Sequence, residues 1–311
     1  MNKSRRHAFT LLEVLAATAV LVVMMVLLTR VFSLVSQSMI SGNADAQNRR
    51  NIRALADFIG GELSRAVVPL EGRSTASAAN LQFLVNPPSS QVDSNYRYAD
   101  AIFWQAPIAT ETTFGEFAIV GYFVQWKNDT PYLCRLFINP STTGADGDLV
   151  RNPDFLIYDS ANSDDWLSKA LLEKWVTPAD KASGYRGLFA ENVLGFWVRC
   201  FDSEGSELTG PFDSRVGYDG PAWTQLGNQV TVKRHLPASV EISLALVDDY
   251  YGMRLQPVKS QLMSFASAPL IRDAKTFLNE LQTGSEGNTA LKAILPGVRI
   301  YTKRIVLECA R

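Results

Sequence analysis

The sequence predicts an α+β protein: a long N-terminal α-helix, membrane-spanning in its first half, packed on an antiparallel β-sheet domain. Three observations carry this. Val14 to Leu28 is an uninterrupted run of apolar residues and Thr. Beyond it, Ile52, Leu55, Ala56, Ile59, Leu63, Ala66 and Val67 recur at three- and four-residue steps, the spacing of a helix with one apolar face. Past residue 80, strand-like runs and helix-like runs then fall in separate stretches rather than alternating, which favours α+β over a doubly wound fold. The composition agrees: 311 residues, 47 % hydrophobic, with 30 Lys+Arg against 31 Asp+Glu for a net charge of −1. Disordered and collagenous chains are excluded. A broadly basic nucleic-acid-binding surface is not expected either, because phosphate binding needs clustered positive charge.

The first element begins with MNKSRRHA, which holds Lys3, Arg5 and Arg6 and no acid. From Phe9 to Leu28 the one charge is Glu13. At about 1.5 Å per residue that stretch covers roughly 30 Å, one bilayer core. Val14, Leu15, Leu21, Val22, Leu27 and Leu28 are its lipid-facing residues. The basic leader stays cytoplasmic and sends the bulk of the chain across the membrane. Arg30 then reaches the outer headgroups with its long side chain. A plain signal anchor would share this pattern but gives no reason for a carboxylate so near the start. A cleaved secretory signal would need a shorter apolar run, and its nearest small-residue site, Ala44-Asp45-Ala46, lies far downstream.

Ala8-Phe9-Thr10-Leu11-Leu12-Glu13 resembles the type IV prepilin processing motif. The resemblance implies that prepilin peptidase cuts between Ala8 and Phe9 and that the new Phe9 amine is methylated. It also implies that Glu13 pairs with the Phe9 amine of a neighbouring subunit during assembly. A lone acid at mid-helix in lipid costs on the order of 2.5–3.5 kcal/mol, and less near the end, so a cationic partner there recovers free energy. Ala8 departs from the Gly usual in the family before the cut. The organisation that follows is a leader at 1–8, a transmembrane helix at 9–35, its amphipathic continuation at 36–68 and a soluble α+β domain at 69–311. The helix would run from Phe9 to about Val67, end at Pro69 and be able to bend at Gly60-Gly61. Arg49, Arg50 and Arg53 read as a solvated helix face rather than a nucleic-acid contact.

In the soluble part, Leu81–Val85, Ala101–Trp104 and Glu116–Trp126 read as strands. Asn128-Asp129-Thr130-Pro131 reads as a turn into Tyr132–Ile138, making a hairpin. Ser141–Asp148 is loop-like. Residues 163–176 form a helix with Ser163 at its N-cap and Pro178 beyond its end. Val193–Phe201, Ala238–Val247 and Arg299–Cys309 read as strands, and Pro269–Gln282 as a helix closed by Thr283-Gly284.

Catalytic patterns are sparse. His7 belongs to the leader, and His235, before Leu236-Pro237, reads as structural. No metalloprotease, nucleophile-elbow, P-loop or dinucleotide motif occurs. Asp248-Asp249 reads as a pair of solvated turn acids. Asp146-Gly147-Asp148 matches only the opening of a calcium loop and lacks its closing Glu. Cys134, Cys200 and Cys309 sit on strands, where buried free thiols are the expected state and a Cys134–Cys200 bridge the alternative. The aromatic strand of Phe117, Tyr122, Phe123 and Trp126 reads as sheet core. No enzyme, cofactor or metal is expected.

Residues 190–196 (AENVLGF), Phe201-Asp202, Trp223 and Leu236–Ile242 (LPASVEI) are similar to the order seen in J-type minor pseudopilins of type II secretion. Residues 101–139, with Phe212-Asp213-Ser214-Arg215, look closer to the pilin-like "C" proteins of Verrucomicrobia/Chthoniobacter-type cassettes. These likenesses imply a pilin-like fold and a minor pseudopilin whose partners are prepilin peptidase, other pilin-like subunits and inner-membrane lipid. Arg30 stands where major pilins often carry Pro, so their mid-span kink is not expected. Removing the leader drops three cations and leaves a net charge of −4, little drive for nucleic-acid capture. The alternatives are a minor type IV pilus subunit for adhesion or DNA uptake, and a membrane-anchored binding protein or enzyme with no filament role.

Overall fold

The computed structural model describes residues 11–68, 81–88, 92, 99–155, 167, 169–176, 187–220, 223–225, 228–231 and 233–307. The chain divides into two compact units, Met1–Gln47 and Asn48–Arg311. In the first, the backbone is helical from Leu11 onward as part of α1 (Leu11–Leu63), and that helix continues through Gly60-Gly61, where the sequence offered a bend.

The second unit holds the end of α1 and, in chain order, β1 (Leu84–Val85), β2 (Ala101–Ala106), β3 (Ala118–Lys127), β4 (Thr130–Ile138), β5 (Ser141–Thr143) and β6 (Leu149–Arg151). Then come α2 (Lys169–Val176), β7 (Gly187–Glu191), β8 (Val193–Phe201), β9 (Glu207–Leu208) and β10 (Phe212–Asp213). Four short strands follow: β11 (Tyr218–Asp219), β12 (Trp223–Gln225), β13 (Asn228–Val230) and β14 (Lys233–Arg234). The chain closes with β15 (Ser239–Val247), α3 (Asp249–Gly252), α4 (Lys259–Ala266), α5 (Ala274–Gly284), α6 (Thr289–Ile294) and β16 (Val298–Val306).

Two antiparallel sheets dominate, of order β10-β1-β2-β3-β4-β7 and β16-β15-β8-β9. The expected α+β class is therefore the one observed. The β3–β4 hairpin forms, with a tighter turn than expected. Lys127 pairs with Thr130, so the loop is Asn128-Asp129 alone, with φ of 49° and 64°. Asn and Asp tolerate that left-handed backbone, and such a turn matches the twist of the strands. Pro131 belongs to β4, opposite Trp126 and just outside the β4–β7 pairing, so its missing N–H removes no bond to β7.

Alternation assigns the six-stranded sheet's two faces. Ile102, Trp104, Val120, Tyr122 and Val124 join the main core with Ile52, Ala56, Ile59 and Leu63 of α1. Phe103, Ile119, Phe123, Cys134 and Leu136 face the other way, onto Leu171, Leu172 and Val176 of α2. Both faces are covered, so β2 is buried throughout. The two sheets are tied at Asp100. Its N–H donates to the Phe196 carbonyl at 3.0 Å, and its carboxylate accepts from the Val198 N–H at 2.7 Å. These are the groups of β8 that no strand pairs at that edge.

The structure corrects several boundaries. Ala274, not Pro269, begins α5, because the Asp273 side chain accepts from the Thr276 N–H at 2.7 Å and caps the helix there. Leu270, inside the expected helix, lies outside α5 and is 87 % exposed. Gly284 does not close α5 by a left-handed cap. It is helical, and a Cβ there would lie 2.7 Å from the Phe265 ring, so the residue serves close packing of α4 on α5. The stretch Ser141–Asp148, expected as loop, opens with strand β5, which pairs with β6 in a small hairpin. The helices α4 and α6 were not anticipated. Ser163, Pro178 and Cys309 lie outside the described residues.

Candidate functional site

The first candidate element is the apolar part of α1. Leu11–Ser36 is long and apolar enough to cross a membrane, and none of its apolar surface is buried in the protein. Val14, Leu15, Leu21, Val22, Leu27 and Leu28 are each more than half exposed. Such a surface is stable only against lipid or other apolar helices. The span's two threonine hydroxyls are satisfied within it: Thr18 Oγ1 donates to the Leu15 carbonyl at 2.9 Å and Thr29 Oγ1 to that of Met25 at 2.8 Å. Glu13 lies in the first turn, where the helix dipole favours an anion. Ala8 and Phe9 lie outside the described residues.

The second element is the seat of α1 in the folded domain, built wholly within the second unit. Ile52, Ala56, Ile59 and Leu63 form one buried stripe. Gly60 lets the helix approach β16: a Cβ there would stand 3.2 Å from Ile305 Cγ1. Next to Leu63 in the chain, Glu62 forms an ion pair with Arg135 of β4, whose side chain is 3 % exposed. Tyr122 of β3 donates to Glu62 and accepts from Arg135 Nε at 3.0 Å. Burial, then the negative charge of Glu62, hold the Tyr122 phenol well above its ordinary pKa, so the hydroxyl keeps its hydrogen for Glu62. The guanidinium also stacks over Phe137 at 4.1 Å and Phe58 at 5.4 Å. A second tie is exposed, Lys303 Nζ to Asp57 Oδ1 at 2.5 Å.

Sequence reasoning did not find the Glu62–Tyr122–Arg135 tie. It read Tyr122 as sheet core only and gave Glu62 no role. A signal was present: Arg135 interrupts the apolar run YLCRLF, and a cation inside a strand buried on both sides needs an anion.

The remaining candidates serve the fold. His235 Nδ1 lies 2.6 Å from the Ser214 carbonyl, a structural contact. Asp248 caps α3 by accepting from the Tyr250 N–H at 2.8 Å, while Asp249 accepts from Asn192 Nδ2 at 2.8 Å. Cys134 and Cys200 are free and buried rather than bridged. Burial pushes the Cys134 thiol up to about 12 and raises that of Cys200 as well, so neither is a nucleophile at neutral pH. Asp146 and Asp148 are exposed in the turn between β5 and β6. Among the described residues, no group of three or more His, Cys, Asp or Glu side chains is placed to hold a metal. Asp100 and Asn86 line a cleft of about 330 Å³, but the Asp100 carboxylate is committed to Val198 and to Asn86 Nδ2, 2.7 Å away.

No protein-family model matches the chain, and no curated protein matches it by sequence. Among solved structures it is similar to a type IV-like pilin from Thermus thermophilus. The two are 13 % identical, with a TM-score of 0.33 over 85 % of this chain and 98 % of that one. At that score the functional reading rests on the residues themselves.

Proposed function

We propose that this chain is a prepilin-like minor pseudopilin, a structural subunit of a type II secretion or pilus-like filament rather than an enzyme. The observation that supports it is the placement of Glu13. One carboxylate sits in the first turn of a helix whose next fifteen residues carry no charge and whose apolar surface is unburied. In the proposed mechanism, prepilin peptidase cleaves between Ala8 and Phe9 and methylates the Phe9 amine. Glu13 of an incoming subunit then pairs with the Phe9 amine of its neighbour. The pairing lowers the cost of both charges in lipid and sets the axial register between helices.

Before assembly, the span from Val14 to Leu28 holds the subunit in the inner membrane. The N-terminus is cytoplasmic and the domain beyond residue 69 periplasmic. Other pilin-like subunits are its partners along the helix, and nucleic acid is not.

Intact-mass and N-terminal analysis of the protein from its native membrane tests this reading. The expected mature chain begins at N-methylated Phe9. A chain still beginning at Met1 would make it a plain anchor, and one beginning near Gln47 would make it a secreted protein. Either result ends the assembly reading. Glu13→Ala is expected to leave the protein in the membrane and remove it from filaments.

A further inference from the structure

The four-stranded sheet ends on a long open edge. β16 pairs with β15 over nine residues without a register shift. The Leu307 N–H donates to the Ala238 carbonyl and the Asp248 N–H to the Gly297 carbonyl, which fixes the alternation. Odd-numbered residues of β16 turn their backbone groups toward β15. Val298, Ile300, Thr302, Arg304 and Val306 turn theirs outward. Among the described residues no strand pairs with that outer side. Among the described residues the Val298 carbonyl alone is occupied there, by Arg299 Nη1 at 2.8 Å. The other sheet edges are shorter: β9 and β10 have two residues each, β7 has five and pairs with β4 across a register shift, and β8 beyond β9 is capped by Asp100.

The chemistry of this edge suits pairing. Val298, Ile300, Thr302 and Val306 are β-branched, and β16 has no Pro and no bulge to turn a strand away. It carries Arg299, Lys303 and Arg304 and no acid. Lys303 is held by Asp57. Arg304 is exposed; it donates to Ser239 Oγ at 2.8 Å and lies 3.9 Å over the Phe201 ring, with no salt bridge among the described residues. Two copies joined edge to edge would bring these cations together, which is unfavourable.

We propose that the outer edge of β16 is a docking strand for an extended, acidic segment of another polypeptide. That segment adds as a fifth strand. The outward N–H and C=O groups supply its backbone hydrogen bonds, and Arg304 selects carboxylates on it. The proposal needs neither the membrane span nor Glu13, so it stands apart from the assembly reading.

The test uses the full-length chain in detergent micelles and two synthetic nine-residue peptides of alternating Thr and Val, one with three Glu and the other with three Lys. Amide hydrogen exchange is the main readout. The acidic peptide is expected to slow exchange at Ile300, Thr302, Arg304 and Val306, while Tyr301, Lys303 and Ile305, already bonded to β15, do not change. Thr302→Pro removes one outward N–H without touching the β15 ladder and is expected to weaken binding at least about tenfold. Thr302→Val keeps that N–H, loses the hydroxyl contact to Ser243, and is expected to bind as the parent does. Arg304→Gln is expected to weaken binding about threefold, with the loss shrinking at high salt. Three outcomes overturn the proposal: no protection at about 1 mM acidic peptide, where even weak contacts register; equal protection by the lysine peptide; or protection of the same amides on raising the protein's own concentration, which would make the occupant a second copy.

Discussion

The apolar span of α1 and its seat from Asn48 to Leu63 belong to one helix but meet opposite fates. The span is apolar on every side and buries none of that surface in the protein. The seat carries Arg49, Arg50, Arg53, Asp57 and Glu62, yet its apolar residues Ile52, Ala56, Ile59 and Leu63 are almost wholly buried. Hydrophobicity alone does not decide where a helix goes. Its angular distribution does: a stripe finds a protein core, whereas a full cylinder needs lipid or other apolar helices around it. Charge follows the same division. The span's carboxylate lies at its end, where desolvation costs least, and the seat's Glu62 is drawn largely out of solvent to meet the buried Arg135 and Tyr122.

The sharpest way to break the contrast is to remove one partner of the buried tie. Glu62→Ala leaves the Arg135 guanidinium inside the core without its anion, a loss of about 3–5 kcal/mol. Thermal unfolding of the domain should shift markedly downward while the fraction of protein in the membrane stays constant. Replacing Glu62 and Arg135 together by apolar residues of similar volume should cost much less than either single change. A Glu62→Ala domain as stable as the parent would show that the tie adds nothing to the seat.

The complementary experiment places a charge in the span. Leu21→Arg adds about 2.5–3.5 kcal/mol to insertion at mid-helix. The protein should become extractable from membranes, while unfolding of its domain is unchanged. If unfolding shifts as well, the two regions are not energetically separate.

Much of this contrast is legible in the sequence, because both halves write their periodicity into consecutive residues. The β3–β4 hairpin and the long strands β8, β15 and β16 are legible for the same reason. What was not legible depends on residues far apart in the chain. The β1–β10 pairing joins Leu84 to Asp213, and the Glu62–Arg135 tie spans 73 positions. The start of α5 lies five residues later than expected because the Asp273 side chain caps the helix at Ala274, while Leu270 before it meets solvent. Gly60-Gly61 read as a weakness of the helix because propensity is local, while the use of Gly60 depends on Ile305 across the fold. The roles proposed for Ala8 and Phe9 in processing and for Phe9 and Glu13 in assembly come from resemblance to a motif, which the packing of the domain does not reveal.

The glycine pair gives a finer test, since its members are adjacent but face different surroundings. A Cβ on Gly61 meets nothing within 4 Å, so Gly61→Ala should stabilise the domain by about 0.8–1 kcal/mol through helix propensity. Gly60→Ala gains the same propensity but presses on Ile305 at 3.2 Å, and should stabilise less or destabilise. Equal stabilisation by both would mean that the helix can lift off β16 at no cost.

The smallest expected effect belongs to the exposed tie. Asp57 is mostly in solvent, and Lys303 keeps a third of its side chain there, so water and salt screen their attraction. Asp57→Asn should therefore cost at most about 1 kcal/mol, against the several expected for Glu62→Ala, and the loss should vanish as salt is raised. The two carboxylates sit five residues apart on one helix and each meets one cation on a strand. Desolvation is the main difference between them. Measuring both variants across a salt series separates the part of the seat that depends on charge in water from the part that depends on charge kept out of it. A loss for Asp57→Asn that is large and independent of salt would show that the edge of β16, too, holds α1 by a contact shielded from solvent.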